Sequence, residues 1–540
     1  MLSSKSNRKS GKRARLAALM TGLLIGSGAF APAVIAQEPD TLVIARSIGG
    51  LNSLDPSRAF CDTCQIYLSS VYESLVTLAS DNKSLAPNLA ESWEISDDLT
   101  QFTFHIKPDA VFSDGSPVEA KDVAWSFQRL LNLKGSPSFL MDGMESVEAL
   151  DAKTVKVTVS KPNSEFINKV SAPYAAIINS DVAIEAGALA DASAATADDA
   201  EGWFLETSAG SGPFVLKNYS PESELRLIAN ANYYGDQPAF DSVVITNIQD
   251  SVSQAQALES GAVDIAMQID ADTMASMNSD EVITEIVPSF NFVYIAFSPA
   301  ATRANGVLTP EVREALTYAL DYDGIMDFTV GGNGAKQSAP IPNGFPGTSD
   351  LPLRTQDVAK AKQMLADAGY ADGFSLIAGY PNDNVYGVDL NLMMQKVQQD
   401  LAAVNVSLEL QPMTYAVWRD ELTGEGLPVT GVYYAPDYFG SGQYVDYFSM
   451  IEGTPWASRA GGTQPELVVN ATEAELYQKA LASSGETSES YYHQLAEEMI
   501  GENIIIPLVS PNLVLAFRAD IEGVRYSACC NLPLAELSRK

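Results

Sequence analysis

Residues 89–127 read LAESWEISDDLTQFTFHIKPDAVFSDGSPVEAKDVAWSF, and they set a strand, a turn and a helix in close succession. Residues 101–108 alternate, so that Phe102, Phe104 and Ile106 share one face, the period-two pattern of a half-buried strand. Asp114-Gly115 is turn chemistry, and a capped helix starts at Ala120. The same reading extends outward. Residues 154–160 alternate Val155, Val157 and Val159, and further strands fall at 224–228, 242–248 and 290–297. The last is apolar on both faces and is expected to run through a core. Thr309-Pro310-Glu311 opens a helix with Thr as N-cap, Pro at the first position and an acid in the first turn. Its buried stripe is Val312, Ala315, Leu316, Ala319 and Leu320. Residues 357–368 repeat the pattern with Val358, Ala361, Leu365 and Ala368, and Gly369 closes them. The Ala- and Asp-rich run 183–200 reads as a solvated helix plus loop. The fold class is α/β, with mixed sheets in more than one lobe.

The chain has 540 residues, long enough for several domain-sized units. Lys plus Arg number 33 against 68 Asp plus Glu, a net charge of −35. Such a chain does not neutralise phosphates, which excludes general nucleic-acid binding and argues against anionic lipid. There are two histidines, His105 and His493, far apart in sequence. That leaves little material for a histidine metal cage or a Ser-His-Asp triad, so no catalytic residue and no metal ligand is assigned. His105, between Phe104 and Ile106, reads as a structural strand residue.

The N-terminus reads as an address. Lys5, Arg8, Lys9, Lys12, Arg13 and Arg15 precede an apolar, small-residue run over 16–30. Ala-Pro-Ala-Val-Ile-Ala follows, with Val34 and Ala36 at the −3 and −1 positions of a peptidase site. The expectation is a signal peptide over 1–36, cut after Ala36; a membrane anchor or a buried helix is the alternative. Gln37, not Cys, would follow the cut, which disfavours a lipid anchor. No adjacent Arg-Arg pair is present, so the general secretory route is expected, ending in a Gram-negative periplasm.

Residues 89–127 closely resemble the signature of family 5 extracytoplasmic solute-binding proteins, the oligopeptide- and dipeptide-binding receptors of ABC importers. Further blocks resemble the family in the same order: VYESL at 71–75, GSGPFVL at 210–216, NANYY at 230–234, ALESGAVDI at 257–265, VREALTYALDYDGI at 312–325, AKAKQMLADAGYADGF at 359–374 and IIIPL at 504–508. The resemblance covers 37–540. It implies a two-lobe clamshell with an extra subdomain inserted in lobe I. Projected onto this chain, lobe I is 37–80, 205–297 and 506–540, the inserted subdomain is 81–204, and lobe II is 298–505. Strands near 290–297 and 504–508 would cross between lobes. The ligand would sit in the cleft, and a membrane-embedded ABC permease would recognise the closed monomer. No cofactor is implied.

Residues 431–442 read GVYYAPDYFGSG. The family commonly has a Trp-x-x-Asp-Tyr block here, and in peptide receptors its Asp pairs with the ligand's α-ammonium. Asp437-Tyr438 matches Asp-Tyr, and Tyr434 stands where the Trp would be. Phe439-Gly440-Ser441-Gly442 replaces the Asp-Pro usually found just downstream. The resemblance thus implies Asp437, Tyr434 and Tyr438 as ligand residues; Pro-Asp and Gly-Ser-Gly are equally the chemistry of a surface turn. Trp456 and Arg459 follow in PWASRAGG, where Arg459 is a candidate for a ligand carboxylate or a solvated loop residue. Asn52-Ser53-Leu54-Asp55 reads as cleft lining or as a turn.

Cys61 and Cys64 form a CxxC, and Cys529 and Cys530 are neighbours. Four cysteines in an exported chain suggest disulfides with three possible connectivities, and a redox-active CxxC is the alternative. Because the family fold places both segments in lobe I, the resemblance implies cross-links from Cys61/Cys64 to Cys529/Cys530.

The leading functional reading is a periplasmic receptor delivering a short peptide to an ABC importer. The same fold could take an opine, an oligosaccharide or a metal chelate. From other classes come a periplasmic hydrolase, for which there is no GxSxG, and a peptide chaperone or redox partner.

Overall fold

A computed structural model describes Asp40–Lys540 as one unit. The expected signal peptide and its cut lie outside the described residues. Two large mixed sheets dominate. The first has seven strands in the order Val282–Val287, Leu513–Arg518, Ile265–Ala266, Thr41–Arg46, Ser242–Asn247, Glu224–Ala229 and Phe214–Ser220. Thr41–Arg46 runs parallel to both its neighbours, and the remaining pairs are antiparallel. The second has six strands in the order Gly334–Ala335, Ile505–Pro511, Phe292–Phe297, Val429–Tyr434, Phe374–Pro381 and Val406–Met413. Every residue of Phe292–Phe297 is buried, as its two apolar faces require of a central strand covered on both sides. Each sheet has its own apolar core, so the sheets build two lobes.

A third, four-stranded antiparallel sheet hangs from the first lobe: Ala90–Ile95, Gln101–Ile106, Thr154–Val159 and Met144–Ala149. Phe102, Phe104, Val155 and Val157 point inward from it, and helix Ala120–Leu133 packs Val123, Phe127 and Leu130 against them. A capping box between Glu119 and Asp122 starts that helix. The turn before it needs Gly115, whose φ is +86°. In the second lobe the Thr309 hydroxyl accepts the Val312 N–H to open helix Pro310–Ala319, and Asp357 accepts that of Lys360 at 2.9 Å to open Val358–Asp367.

The run 183–200 is short helix and loop, largely exposed; Ala188, Ala194 and Ala200 are buried, and the Asp198 side chain pairs with Arg129 Nε at 3.0 Å. Arg129 also holds Asp55 through two 2.6 Å bonds, and all three side chains are fully buried. Asp198 anchors this exposed segment by giving Arg129 a second carboxylate. The same contact makes Asp55 part of an ion network at a turn, where it also accepts the Ser57 N–H.

The expected cysteine pairing needs correction. Cys61 and Cys64 bond to each other, and Cys529 and Cys530 are buried free thiols. Cys61 is the N-cap of helix Asp62–Val71 and Cys64 lies one turn on, which brings their Cα atoms to 5.0 Å, within disulfide reach. The two C-terminal thiols face the Ser527 hydroxyl instead, each at 3.3 Å, in an apolar cluster with Leu78 and Tyr526.

The lobes are joined by two short links. Residues 288–291 lead from Val282–Val287 into Phe292–Phe297, and Asn512 leads from Ile505–Pro511 into Leu513–Arg518. The Ser289 hydroxyl donates to Pro511 O at 2.7 Å and ties the links together. Among the described residues no helix is long and apolar enough to cross a membrane.

Candidate functional site

Strand Val429–Tyr434 ends at the lobe interface, and the loop that follows carries Asp437 into it. Asp437 is 3% exposed. Its Oδ2 accepts the Tyr434 hydroxyl at 3.2 Å and its Oδ1 accepts Gln65 Nε2 at 3.1 Å. Gln65 sits on helix Asp62–Val71 of the first lobe, so this bond crosses the interface. Gln65 Nε2 also donates to Pro436 O, and its Oε1 accepts Asn531 Nδ2 at 2.9 Å. Gln443 fixes the loop from the other side: its Oε1 accepts the Asp437 N–H at 2.7 Å, and its amide donates to Tyr438 O and Gly440 O. Among the described residues no lysine or arginine pairs with Asp437. Burial pushes its carboxyl up to about 8; the Tyr434 and Gln65 bonds oppose that rise, and the charge of Asp62 adds to it.

Asp62, the first residue of its helix, accepts a bond from the Tyr386 hydroxyl of the second lobe. Burial raises its carboxyl too, and nearby Arg46 lowers it. Arg46, Asp62, Gln268, Asp383, Tyr386 and Tyr433 line a cavity of about 40 Å³ between the lobes.

A larger cavity, about 520 Å³, opens between the first lobe and residues 415–459; Phe60, Phe139, Tyr415, Trp418, Tyr447 and Arg459 are among its walls. Arg459 donates to the Tyr447 hydroxyl at 2.9 Å and lies over the Tyr447 and Trp456 rings at 5.1 and 5.2 Å. The Tyr447 ring packs 4.8 Å from that of Tyr434, so Tyr434 touches Asp437 with its hydroxyl and this cavity's wall with its ring.

Of the five residues named from sequence, Asp437 and Tyr434 stand together at the interface and Arg459 lines the larger cavity. Trp456 is fully buried in the second lobe, edge-on to Tyr294 and behind Arg459. Tyr438 is fully buried and plants its ring in the first lobe's core. Sequence reasoning did not find Gln65, Asp62, Tyr386 or Tyr174, whose hydroxyl bonds Cys61 O at 3.2 Å and faces Asp437. Asp62 lies inside the Cys61–Cys64 motif and Gln65 directly follows it, yet that motif marks thiols rather than these side chains; Tyr386 and Tyr174 stand in no motif.

A buried acid with no counter-cation, on a loop that meets the opposite lobe, is a place where a ligand's positive charge would be stabilised. Residues 84–453 match the model of the bacterial extracellular solute-binding proteins, family 5, middle region. The chain belongs to this family. A probable D,D-dipeptide-binding periplasmic protein of Escherichia coli is 26% identical over 501 residues, covering 91% of this chain and 93% of that one. A dipeptide-binding protein of Pseudoalteromonas, solved with Met-Leu, superposes with a TM-score of 0.82 at 19% identity, covering 93% of this chain and all of the other. The binding protein AgaA of A. tumefaciens, solved with agropinic acid, gives 0.79 at 22% identity, covering 93% and 99%. The fold is therefore the two-lobe one of periplasmic binding proteins. Family 5 is a family of binding proteins, and this solute-binding protein presents Asp437 at the meeting of its lobes.

Proposed function

We propose that this protein is a periplasmic receptor that closes on a short peptide and presents it to an ABC permease. The observation that carries the reading is Asp437, a buried carboxyl with hydrogen-bond partners but, among the described residues, no cation of its own. A peptide's α-ammonium would complete it. The names of the relatives support the ligand class and the periplasmic location. The receptor acts as a monomer after cleavage behind Ala36. We draw the lobe edges at the two links, residues 288–291 and Asn512, and assign the inserted subdomain to 81–204.

Arg459 favours a second reading. Among the described residues it has no carboxylate partner, and it lines the larger cavity. An opine, which also carries anionic groups, would suit a site with Asp437 at one side and Arg459 at the other.

Calorimetry decides the first reading. Loss of one partner from a buried charge pair costs about 2–5 kcal/mol. Asp437→Asn is therefore expected to weaken a free-amine peptide by more than roughly tenfold, which corresponds to about 1.4 kcal/mol. An N-acetylated analogue should lose far less. Tyr434→Ala should weaken both, because it removes ring area rather than charge. Equal losses for both ligands in Asp437→Asn would remove Asp437 as the ammonium partner.

A further inference from the structure

Cys529 and Cys530 are neighbouring thiols that the solute site does not use. They sit in a tight turn closed by two bonds: the Ser527 N–H donates to Asn531 O at 3.0 Å, and the Asn531 N–H to Ser527 O at 2.8 Å. Asn531 leaves the turn with φ +58°. Both thiols are buried, and both sulfurs lie 3.3 Å from the Ser527 hydroxyl. The neighbouring Cys530 thiol draws Cys529 below its ordinary value against the effect of burial, and Ser527 and Arg525 add to this. Cys530 is raised by the same neighbour and by burial. Cys529 is thus the readier nucleophile of the two.

The turn is fastened to the parts that lobe motion uses. Val287, Phe290 and Leu513 pack on its apolar cluster, and these residues flank or form the two links between the lobes. Just before the turn, the Tyr526 hydroxyl accepts the Phe290 N–H at 3.4 Å and donates to Asn291 Oδ1 at 3.3 Å. At its end, Asn531 Nδ2 donates to Gln65 Oε1 at 2.9 Å, and Gln65 in turn donates to Asp437. Asn82 anchors the turn to the first lobe: it accepts the Ala528 N–H at 2.9 Å and donates to Tyr526 O at 3.3 Å. Phe439 of the second lobe packs on the same cluster, so the opening that solute exchange requires lifts one cover from the sulfurs.

We propose that Cys529 and Cys530 are a site of reversible disulfide modification whose oxidation state sets how freely the links between the lobes move. The oxidant is a small disulfide, R–S–S–R. Cys529 loses its proton and attacks one sulfur of the oxidant; a mixed disulfide forms, and the first R–S⁻ leaves with that proton as R–SH. Cys530 then attacks the Cys529 sulfur and expels the second R–S⁻, which takes the Cys530 proton. The protein gives up two electrons and two protons, and the oxidant departs as two thiols. Neighbouring Cα atoms stand about 3.8 Å apart across a trans peptide, short of the roughly 4.4–6.8 Å at which disulfides rest. The new bond therefore distorts the turn, and a bond so strained is readily reduced again. The distortion reaches Tyr526 and Asn531, which border the turn, and loosens their holds on Phe290 and Gln65.

Thiol mapping and hydrogen exchange on the mature protein, with no solute added, test this. After incubation with reduced or oxidised glutathione, the chain is unfolded, alkylated and mapped by mass spectrometry. The peptide holding residues 529–530 is expected to take two alkyl groups in the reduced protein. After oxidised glutathione it should take none and be lighter by two hydrogens than the dithiol. Cys530→Ser should stall as a glutathione mixed disulfide on Cys529, whereas Cys529→Ser should react roughly tenfold more slowly or less. The Phe290 amide should exchange roughly fivefold faster or more in the oxidised wild type, and Cys529→Ser with Cys530→Ser should show no response to glutathione. Two alkylatable thiols at saturating oxidised glutathione overturn the site, as does a 529–530 peptide joined to Cys61 or Cys64. Equal Phe290 exchange in both forms overturns the control of the links. Because no solute enters, these outcomes leave the peptide reading to stand or fall on the calorimetry.

Discussion

With Asp437 as the ammonium partner proposed above, solute capture would be linked to protons. Its carboxyl is raised to about 8 where the lobes meet, against an ordinary value near 4 when the cleft is open to water. A raised acid binds a proton in the closed form that the open form does not bind. Closure without solute is therefore favoured below this window and is lost as pH rises through it, by about 1.4 kcal/mol per pH unit. A ligand ammonium would take the place of that proton. Calorimetry near neutral pH, repeated in buffers of different ionisation enthalpy, should then show proton uptake when an N-acetylated peptide closes the cleft and little or none with a free-amine peptide, and Asp437→Asn should abolish the uptake. Equal uptake with both peptides would mean that the ammonium does not meet Asp437. At this scale the sequence was legible only where a motif surrounds the residue. Asp437 lies in an Asp-Tyr block, whereas its partner Gln65 is 372 positions away, beside a CxxC that marks thiols and not an amide.

Among the elements, those written in local chemistry were readable. Thr309-Pro310-Glu311 announces its helix because cap, ring and charge act within one turn, and the alternating Phe102, Phe104 and Ile106 announce their strand. Thr309→Ala is expected to cost about 1 kcal/mol in denaturant melts. The cysteine pairing was not readable, since family topology suggested long cross-links and the first helical turn brought Cys61 and Cys64 together instead. A loop this short restrains the unfolded chain little, so Cys61→Ser with Cys64→Ser should lower stability by about 2 kcal/mol, at the low end for disulfides. The Asp198 anchor of the exposed run 183–200 was also hidden, because its partner Arg129 lies far off in sequence on helix Ala120–Leu133.

For the whole molecule, the expected motion is contraction on solute. Binding should raise the melting temperature by mass action, about 2.7 kcal/mol of stabilisation at one hundred times Kd. The charge of −35 should also speed capture of cationic solutes, with an association rate that falls as salt rises. Stopped-flow measurements with a cationic and a neutral peptide would check this; equal salt dependence would remove the long-range attraction. The α/β class and two-lobe plan were legible from element order and motif blocks. The points where the chain crosses between lobes were not, because Phe292–Phe297 is apolar on both faces and would suit the middle of either sheet. Only pairing shows that it belongs wholly to the second.

Strand Leu513–Arg518 lies between Val282–Val287 and Ile265–Ala266, both synthesised much earlier. A nascent chain must therefore carry the first lobe with a vacant slot and two raw sheet edges until nearly its last residues emerge. The second lobe's six strands are all present once Pro511 has been made. Assembly thus finishes in the reverse of reading order, with the lobe begun first completed last. A chain stopped after Pro511 would leave Val282–Val287 without its partner and would be prone to sticking edge to edge. Only a chain that extends through Arg518 closes this sheet.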